Sequence, residues 1–447
     1  MSGSNTVVGM AYSDTQVLTA ANNLFIDGTG IGLGKVVQGL TQLRTGDANM
    51  SGLNTTMNNL MGSTAGTLNR AVFSSTLPSN ASLELTATAS TFNLDTALSY
   101  GHTTASNAGL MTFTGIAGNG TTFTLSGGIF TSSKSQSYNG LVLLGANVTL
   151  TGTQITTSST VDGSASRYNL TVTGPLTTGG SMSSLGTVSV TGLATLGGSQ
   201  VTSSGTQTFG GNVVLSGAAN SFLFNSALVS GANVGVTGTV TSTTAAKAWT
   251  VTAGTGDVSL ASAVGGGAAG LSSVSVSATN LTILSIDATQ AVTLNPITSG
   301  TVGLISGAAT TLTKGAAGVL NLTAVNTFGG NTTITGGTLK LSGSGSLGAG
   351  TYAGDIALSA GTLLQDSSSA DQTWSGVISG AGSVLKDTSN SVLTLAGANT
   401  LSGNVTVNVG TVVVTQNNGL GNNAGQATVA SGAVLDIQNA ADRKSVV

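Results

Sequence analysis

The feature that most constrains this chain is that it resembles itself at long range. Asn326, Thr327, Phe328, Gly329, Gly330 returns as Asn399, Thr400, Leu401, Ser402, Gly403, and the register persists through Gly337-Thr338-Leu339 against Gly410-Thr411-Val412 and Leu347-Gly348 against Leu420-Gly421. Gln136-Ser137-Tyr138 is answered by Gln207-Thr208-Phe209, and Gln372-Thr373-Trp374 is a third copy. Repeats of this kind build solenoids, in which each unit buries its apolar face only against its neighbours. Both the Asn326 and the Gln136 offsets suit about three coils of roughly 24 residues each. Rungs about 4.8 Å apart would then stack about fifteen coils into a rod of roughly 70 Å.

Local chemistry agrees with that architecture. From about residue 105 onward, apolar and polar residues alternate in short runs broken by Gly or Asn, as in Thr187–Thr191 before Gly192, or Leu271–Ala278 with Val274 and Val276 on one face. That is the period-2 signature of strands. The 67 glycines and abundant Thr and Val favour strand, turn, strand over helix. Only 6% of residues are charged, so Ser, Thr and Asn must hydrate the surface, while 39% apolar content is too high for a disordered chain. The fold class expected is all-β, a parallel β-helix with aliphatic columns inside and Gly or Asn at the corners.

Several function classes are excluded by the inventory. A net charge of −3 leaves no basic stripe for nucleic acid, and no apolar run is long enough to span a bilayer as a helix. The absence of cysteine removes disulfides, thiolate metal sites and a thiol nucleophile. His102, the single histidine, lies in a turn-like Gly101-His102-Thr103-Thr104 stretch and reads as a loop residue. No Gly-x-Ser-x-Gly elbow accompanies it. The aspartates and Glu84 are scattered singly, whereas calcium loops place oxygens at alternate positions. Asp366 and Asp371 could meet across a turn, but a solvated loop is the expected setting. Gly254-Thr255-Gly256-Asp257 reads as a plain corner. Gly343 to Gly348 satisfies a Gly-x-Gly-x-x-Gly pattern without the helix a nucleotide site requires. Tyr138, Phe209, Phe328 and Trp374 hold equivalent repeat positions and are expected inside. Lys314, Lys340 and Lys386 stand too far apart for a patch. Thr171 and Thr173 would suit a flat threonine array for ice or another surface, but their sequence neighbours do not repeat them regularly. No catalytic, cofactor-binding or metal-binding residue is assigned.

The opening differs. Val36, Val37, Leu40, Leu43 and then Leu53, Met57, Leu60, Met61 follow helical spacing, so residues 1–104 are read as an irregular or partly helical segment or cap. The stretch Met1–Ser13 lacks a signal peptide's cationic and apolar regions. Asp442 to Val447 back-translates into a string shared with a common sequencing-library adapter, so 442–447 is expected to be a non-native tail. The natural chain would then continue past Ala441 and Met1 would be an internal start.

Lys314-Gly315-Ala316-Ala317-Gly318-Val319-Leu320-Asn321-Leu322, followed by Asn326-Thr327-Phe328, Gly330, Thr333-Ile334 and Gly337-Thr338-Leu339, resembles the autotransporter-associated β-strand repeat. Lys386 to Val412 resembles a looser copy, with Leu401 where an aromatic is usual and no glycines over Asp387–Asn390. Upstream, Trp249–Asp257 and Val264–Ala278 are similar to repeats of large secreted adhesins of the filamentous-haemagglutinin type. This divides the expected solenoid into 105–310, adhesin-like, and 311–441, autotransporter-like. The resemblance implies a right-handed β-helical passenger displayed on or released from the bacterial surface, with a membrane-anchoring barrel missing downstream. It implies adhesin or structural work through host or matrix glycans, proteins or self-association, without a cofactor. The alternatives are a polysaccharide-acting enzyme on the same fold and an ice- or surface-binding solenoid.

Overall fold

A computed structural model describes residues 122–438, apart from 126–127, 133, 244–245, 267–269 and 389. It also describes the backbone of five strands outside that span: Leu83–Thr86, Thr91–Leu94, Leu98–Tyr100, Met111–Thr114 and Ser445–Val446. The helical spacing noted between Val36 and Met61 lies outside the described residues, as does His102. Among the described residues every element is a strand except a single 3-10 turn at Gly348–Gly350. The chain divides into two compact units, Met1–Ala218 and Ala219–Val447, each a parallel β-solenoid, and the turns of the two come to about 15.

In the first unit each strand pairs with the third strand after it, so three strands make one coil. Val148, Leu170, Val188 and Gln207 lie in register on successive rungs of one face. A second face stacks Gln136, Ile155, Leu176, Ala194 and Val213, and the third stacks Phe123, Val142, Val161, Met182 and Val201. Parallel pairing already begins at Leu83, which pairs with Met111.

The second unit repeats the plan. Leu312, Thr332, Ile356 and Ile378 stack on one face, Val319, Thr338, Leu363 and Ser383 on another, and Thr351, Thr373, Thr394 and Val413 on the third. Strand Leu271–Ser306 runs unbroken around the coil, pairing with Lys247–Thr252 and Val258–Gly265 on one side and with Thr311–Lys314 and Val319–Leu322 on the other. Val274 and Val276 point inward from it, as do Val188 and Val190 from their strand.

Coils are mostly shorter, and more variable, than the roughly 24 residues expected of a regular solenoid turn. The step from Leu170 to its partner Val188 is among the shortest, and that from Leu98 to Phe130 among the longest. The repeat that links Gln136 to Gln207 is not a whole number of turns either. Gln136 stands in the Ile155 column and Gln207 in the Val188 column, on different faces. The repeated unit is one strand with its corner, and any face of a three-sided coil accommodates it.

Corners explain the repeated Gly-Thr-Leu. Gly337 adopts φ 61°, and a Cβ there would lie 2.2 Å from the Gly318 carbonyl oxygen of the rung beneath. Neither a left-handed backbone nor that contact suits an L side chain. Gly235, in contrast, lies within strand Val234–Val236 with nothing within 4 Å of its Cβ position. Gly337→Ala should therefore lower unfolding stability by about 2–4 kcal/mol, while Gly235→Ala leaves it unchanged or slightly raised; denaturant midpoints of the two variants against the parent make the comparison.

Candidate functional site

Polar side chains point in two directions, and each set does different work. Inside the coils three lysines are buried: Lys247, Lys314 and Lys386. Lys314 ends strand Thr311–Lys314 in the column between Leu294 and Ile334, and its Nζ donates to the carbonyls of Gly315 (2.5 Å), Ala316 (2.9 Å) and Gly336 (2.8 Å). The ammonium plugs a corner whose carbonyls would otherwise be orphaned in the interior. Burial pulls its pKa down to about 8. Lys247 Nζ likewise donates to the Ala219 carbonyl at 2.7 Å.

Asp366 corrects the expectation of a solvated loop. It is fully buried on the rung next to Lys386, with Oδ2 3.8 Å from Nζ. Burial pushes the Asp366 carboxyl up to about 6, against the opposing pulls of Lys386 and the Ser368 N–H. Burial lowers Lys386, while Asp366, Asp387 and Asp371 pull it the other way. Both partners shift toward their neutral forms. Asp371 does not join them: it is exposed, and its Oδ1 accepts the Val392 N–H at 2.8 Å.

The repeated glutamines and aromatics are also interior. Tyr138, Phe209, Phe328 and Trp374 are all fully buried, as their repeat positions suggest. Phe328 meets Tyr352 edge-on with ring centroids 5.7 Å apart, and Tyr352 lies in register with Trp374 on the next rung. A longer motif escaped the sequence reading, although a serine one strand-length before each repeated glutamine signalled it: Ser132, Ser203 and Ser368. Gln207 Nε2 donates to Ser203 Oγ (3.1 Å) and Gln372 Nε2 to Ser368 Oγ (3.4 Å), while Gln136 Nε2 bonds the Phe130 and Thr151 carbonyls. Tyr138 completes its set by donating to Gln136 Oε1 at 2.8 Å. Asn326 and Asn399, which open the other repeat, are inter-rung staples: their Oδ1 atoms accept the Ile305 and Ile378 N–H groups, each at 2.7 Å. Motif residues therefore satisfy buried backbone, which is architectural work.

Outward-facing polar residues form ordered rows. Asn331 Oδ1 accepts the Asp355 N–H and Asp355 Oδ1 accepts that of Val377, an Asx ladder along one corner. The Gly254–Asp257 turn belongs to such a ladder, since Asp257 N–H donates to Asn233 Oδ1 and Asp257 Oδ1 accepts from Asn280. On the first unit, Thr149, Thr171, Ser189 and Thr208 align on successive rungs, and Thr131, Thr151 and Thr173 form a parallel row. Rows of side chains at alternate strand positions lie about 6.6 Å from each other, and rungs about 4.8 Å. β-Branching holds the threonine χ1 angles, so the hydroxyls form a stiff two-dimensional grid. Across rungs Thr171-x-Thr173 is matched by Thr149-x-Thr151 and by Ser189-x-Thr191, but Ile129 heads the Thr149 row and the rung after Ser189 carries Thr208-x-Gly210, so the array is short and Thr-x-Thr itself does not recur regularly.

The remaining candidates take plain roles. After Gly343, at the end of strand Thr338–Gly343, the chain makes the 3-10 turn and strand Thr351–Tyr352, so no helix N-terminus stands behind the glycines. Lys340 lies at the surface between Asn321 and Gln365 and apart from Lys314 and Lys386. Among the described residues no three His, Asp, Glu or Cys gather as a metal cage, and no helix is long and apolar enough to cross a membrane. Compared with known proteins, the chain matches no protein family, no curated protein and no solved structure.

The Lys314 plug has a measurable signature. Its folded pKa lies below the ordinary 10.5, so between about 8 and 10.5 the unfolded chain holds more protons, and stability rises with pH across that window. Lys314→Met should remove that portion of the rise and, by orphaning three carbonyls, lower stability at pH 7 by about 3 kcal/mol. Parallel denaturant titrations of parent and variant at pH 7, 8, 9 and 10 read both effects.

Proposed function

We propose that this chain is part of a secreted bacterial surface protein of the autotransporter-associated repeat type, acting outside the cell as a non-catalytic adhesin or structural passenger. The observation that carries the reading is the grid of Thr149, Thr151, Thr171, Thr173 and Ser189 on a regular, nearly uncharged face. Such a surface offers many weak hydrogen bonds in fixed order, which suits a polymer presenting hydroxyls repeatedly, as a host or matrix glycan does. The inward position of the repeat lysines and asparagines supports the same division of labour, since the motifs hold the coil while the outer rows remain free to vary. Catalysis on a polysaccharide would need free carboxylates converging on an outer face; the outward Asp257, Asp355 and Asp371 each accept a backbone N–H, and the Asp366–Lys386 pair points inside.

A glycan array and immobilised matrix polysaccharides probed with the full chain test this. Binding should weaken at least tenfold when Thr149, Thr171 and Ser189 are all replaced by Glu, with the unfolding midpoint little changed. No binding to any glycan, cell or second copy of the chain would leave only a spacer role. The same grid favours a second reading, an ordered-water or ice surface, because paired hydroxyl residues recur in successive coils: Thr149 and Thr151, Thr171 and Thr173, Ser189 and Thr191. Thermal hysteresis and inhibition of ice recrystallisation by the parent but not the triple variant would select it, and their absence from the parent removes it.

A further inference from the structure

Burying a carboxylate and an ammonium is costly, and the cost is recovered only when every remaining lone pair and proton finds a partner. Asp366 does not meet that condition. Both side chains have no exposure, and they face each other from adjacent rungs at 3.8 Å. Asp366 Oδ1 accepts the Ser368 N–H at 3.1 Å, but no donor reaches Oδ2 within hydrogen-bond distance. A buried carboxylate oxygen without a hydrogen-bond donor, with the Lys386 nitrogen 3.8 Å away, calls for an explanation beyond a simple ion pair.

We propose that Lys386 and Asp366 join through a side-chain amide, Nζ to Cγ, which staples one rung covalently to the next. The groups are arranged for it. Lys386 Nζ, as the neutral amine, attacks Cγ of the protonated carboxyl. The N–C bond forms as the C–Oδ2 bond breaks, and the proton lost from Nζ leaves with the hydroxyl as one molecule of water. No oxidant or cofactor enters the balance. Oδ1 becomes the tetrahedral oxyanion, and the Ser368 N–H is already directed at it. In-register pairing of strands Leu363–Ser368 and Ser383–Lys386 supplies the proximity that such a reaction otherwise lacks.

The interior also favours the reactive protonation states, since burial raises Asp366 to about 6 and lowers Lys386. Asp387 and Asp371, which favour the charged lysine, slow the step rather than prevent it, because the neutral form need only be visited. Once made, the amide removes two buried charges together. Lys314 is the internal control. It is equally buried, but the neighbours in its column are Leu294 and Ile334, neither of them an acid. It has no acid to join.

This inference is independent of the glycan reading and is tested on the full chain by intact mass and peptide mapping. The purified protein should weigh one water less than its sequence. After denaturation and trypsin digestion, residues 341–443 should remain one peptide, one water light, with cleavage lost after Lys386 and retained after Lys314 and Lys340; a second cut after Trp374 should leave two pieces still joined through Asp366 and Lys386. Lys386→Arg keeps a cation but cannot form the amide, so it should restore the full mass; Asp366→Asn should instead lose one ammonia. A parent of full sequence mass whose Lys386 is cleaved overturns the proposal, even if neither variant folds. So does a water loss that maps to an Asp-Gly site such as Asp27-Gly28.

Discussion

In-register parallel stacking is the constraint on which everything else in these solenoids depends. Each rung donates and accepts its backbone hydrogen bonds along the coil axis, so every side chain is set directly above the one at the same position on the rung before. Position along the strand then decides between inside and outside, and position around the coil decides which column a residue joins. Val148 over Leu170 over Val188 is a stable column because all three are branched aliphatics that fill the same space. Corners stack as well, as the Gly192 N–H on the Gly174 carbonyl and the Gly205 N–H on that of Gly186 show, but some corner carbonyls, those of Gly315, Ala316 and Gly336 among them, meet a side-chain donor from inside.

That geometry accounts for the interior polar residues, which a low-charge chain would seem able to avoid. Lys314 and Lys247 reach corner carbonyls, Gln136 bonds two more, and Asn326 and Asn399 accept an N–H from the neighbouring rung. Each is long enough to reach a neighbouring carbonyl from its own position, and each carries the donor that a carbonyl needs. Charge is otherwise dispensable on the outside because Thr and Ser hydrate the faces. The result is an inversion of ordinary globular practice, with some of the few lysines buried and hydroxyls exposed.

Much of the fold was legible in the sequence. Alternating runs such as Thr187–Thr191 fix which residues face inward whatever the neighbours are, because strand geometry has a period of two. Repetition of Asn326-Thr327-Phe328 and of Gln136-Ser137-Tyr138 revealed a stacked architecture. The interior position of the repeated aromatics followed from the same pattern. Coil length was misjudged because the long repeat was divided into whole turns, whereas Gln136 and Gln207 occupy different faces. Asp366 was misplaced because a lone aspartate near a turn is usually solvated, and nothing local announces the lysine one coil away.

What the sequence by itself determined is the class: short strands, Gly and Asn corners, apolar columns inside and hydroxyls outside. These follow from local sterics and from hydrophobic periodicity, both written within a few residues of each other. Only the tertiary structure decided which strand lies on which. From that choice came the Thr149–Thr171–Ser189 row, the Lys314 carbonyl cradle and the meeting of Asp366 with Lys386. The physical reason is that lateral register in a solenoid is set by variable coil lengths. Corners of differing length absorb the variation, so strands stay in register while the sequence distance between partners changes from coil to coil, and no short window of sequence records it.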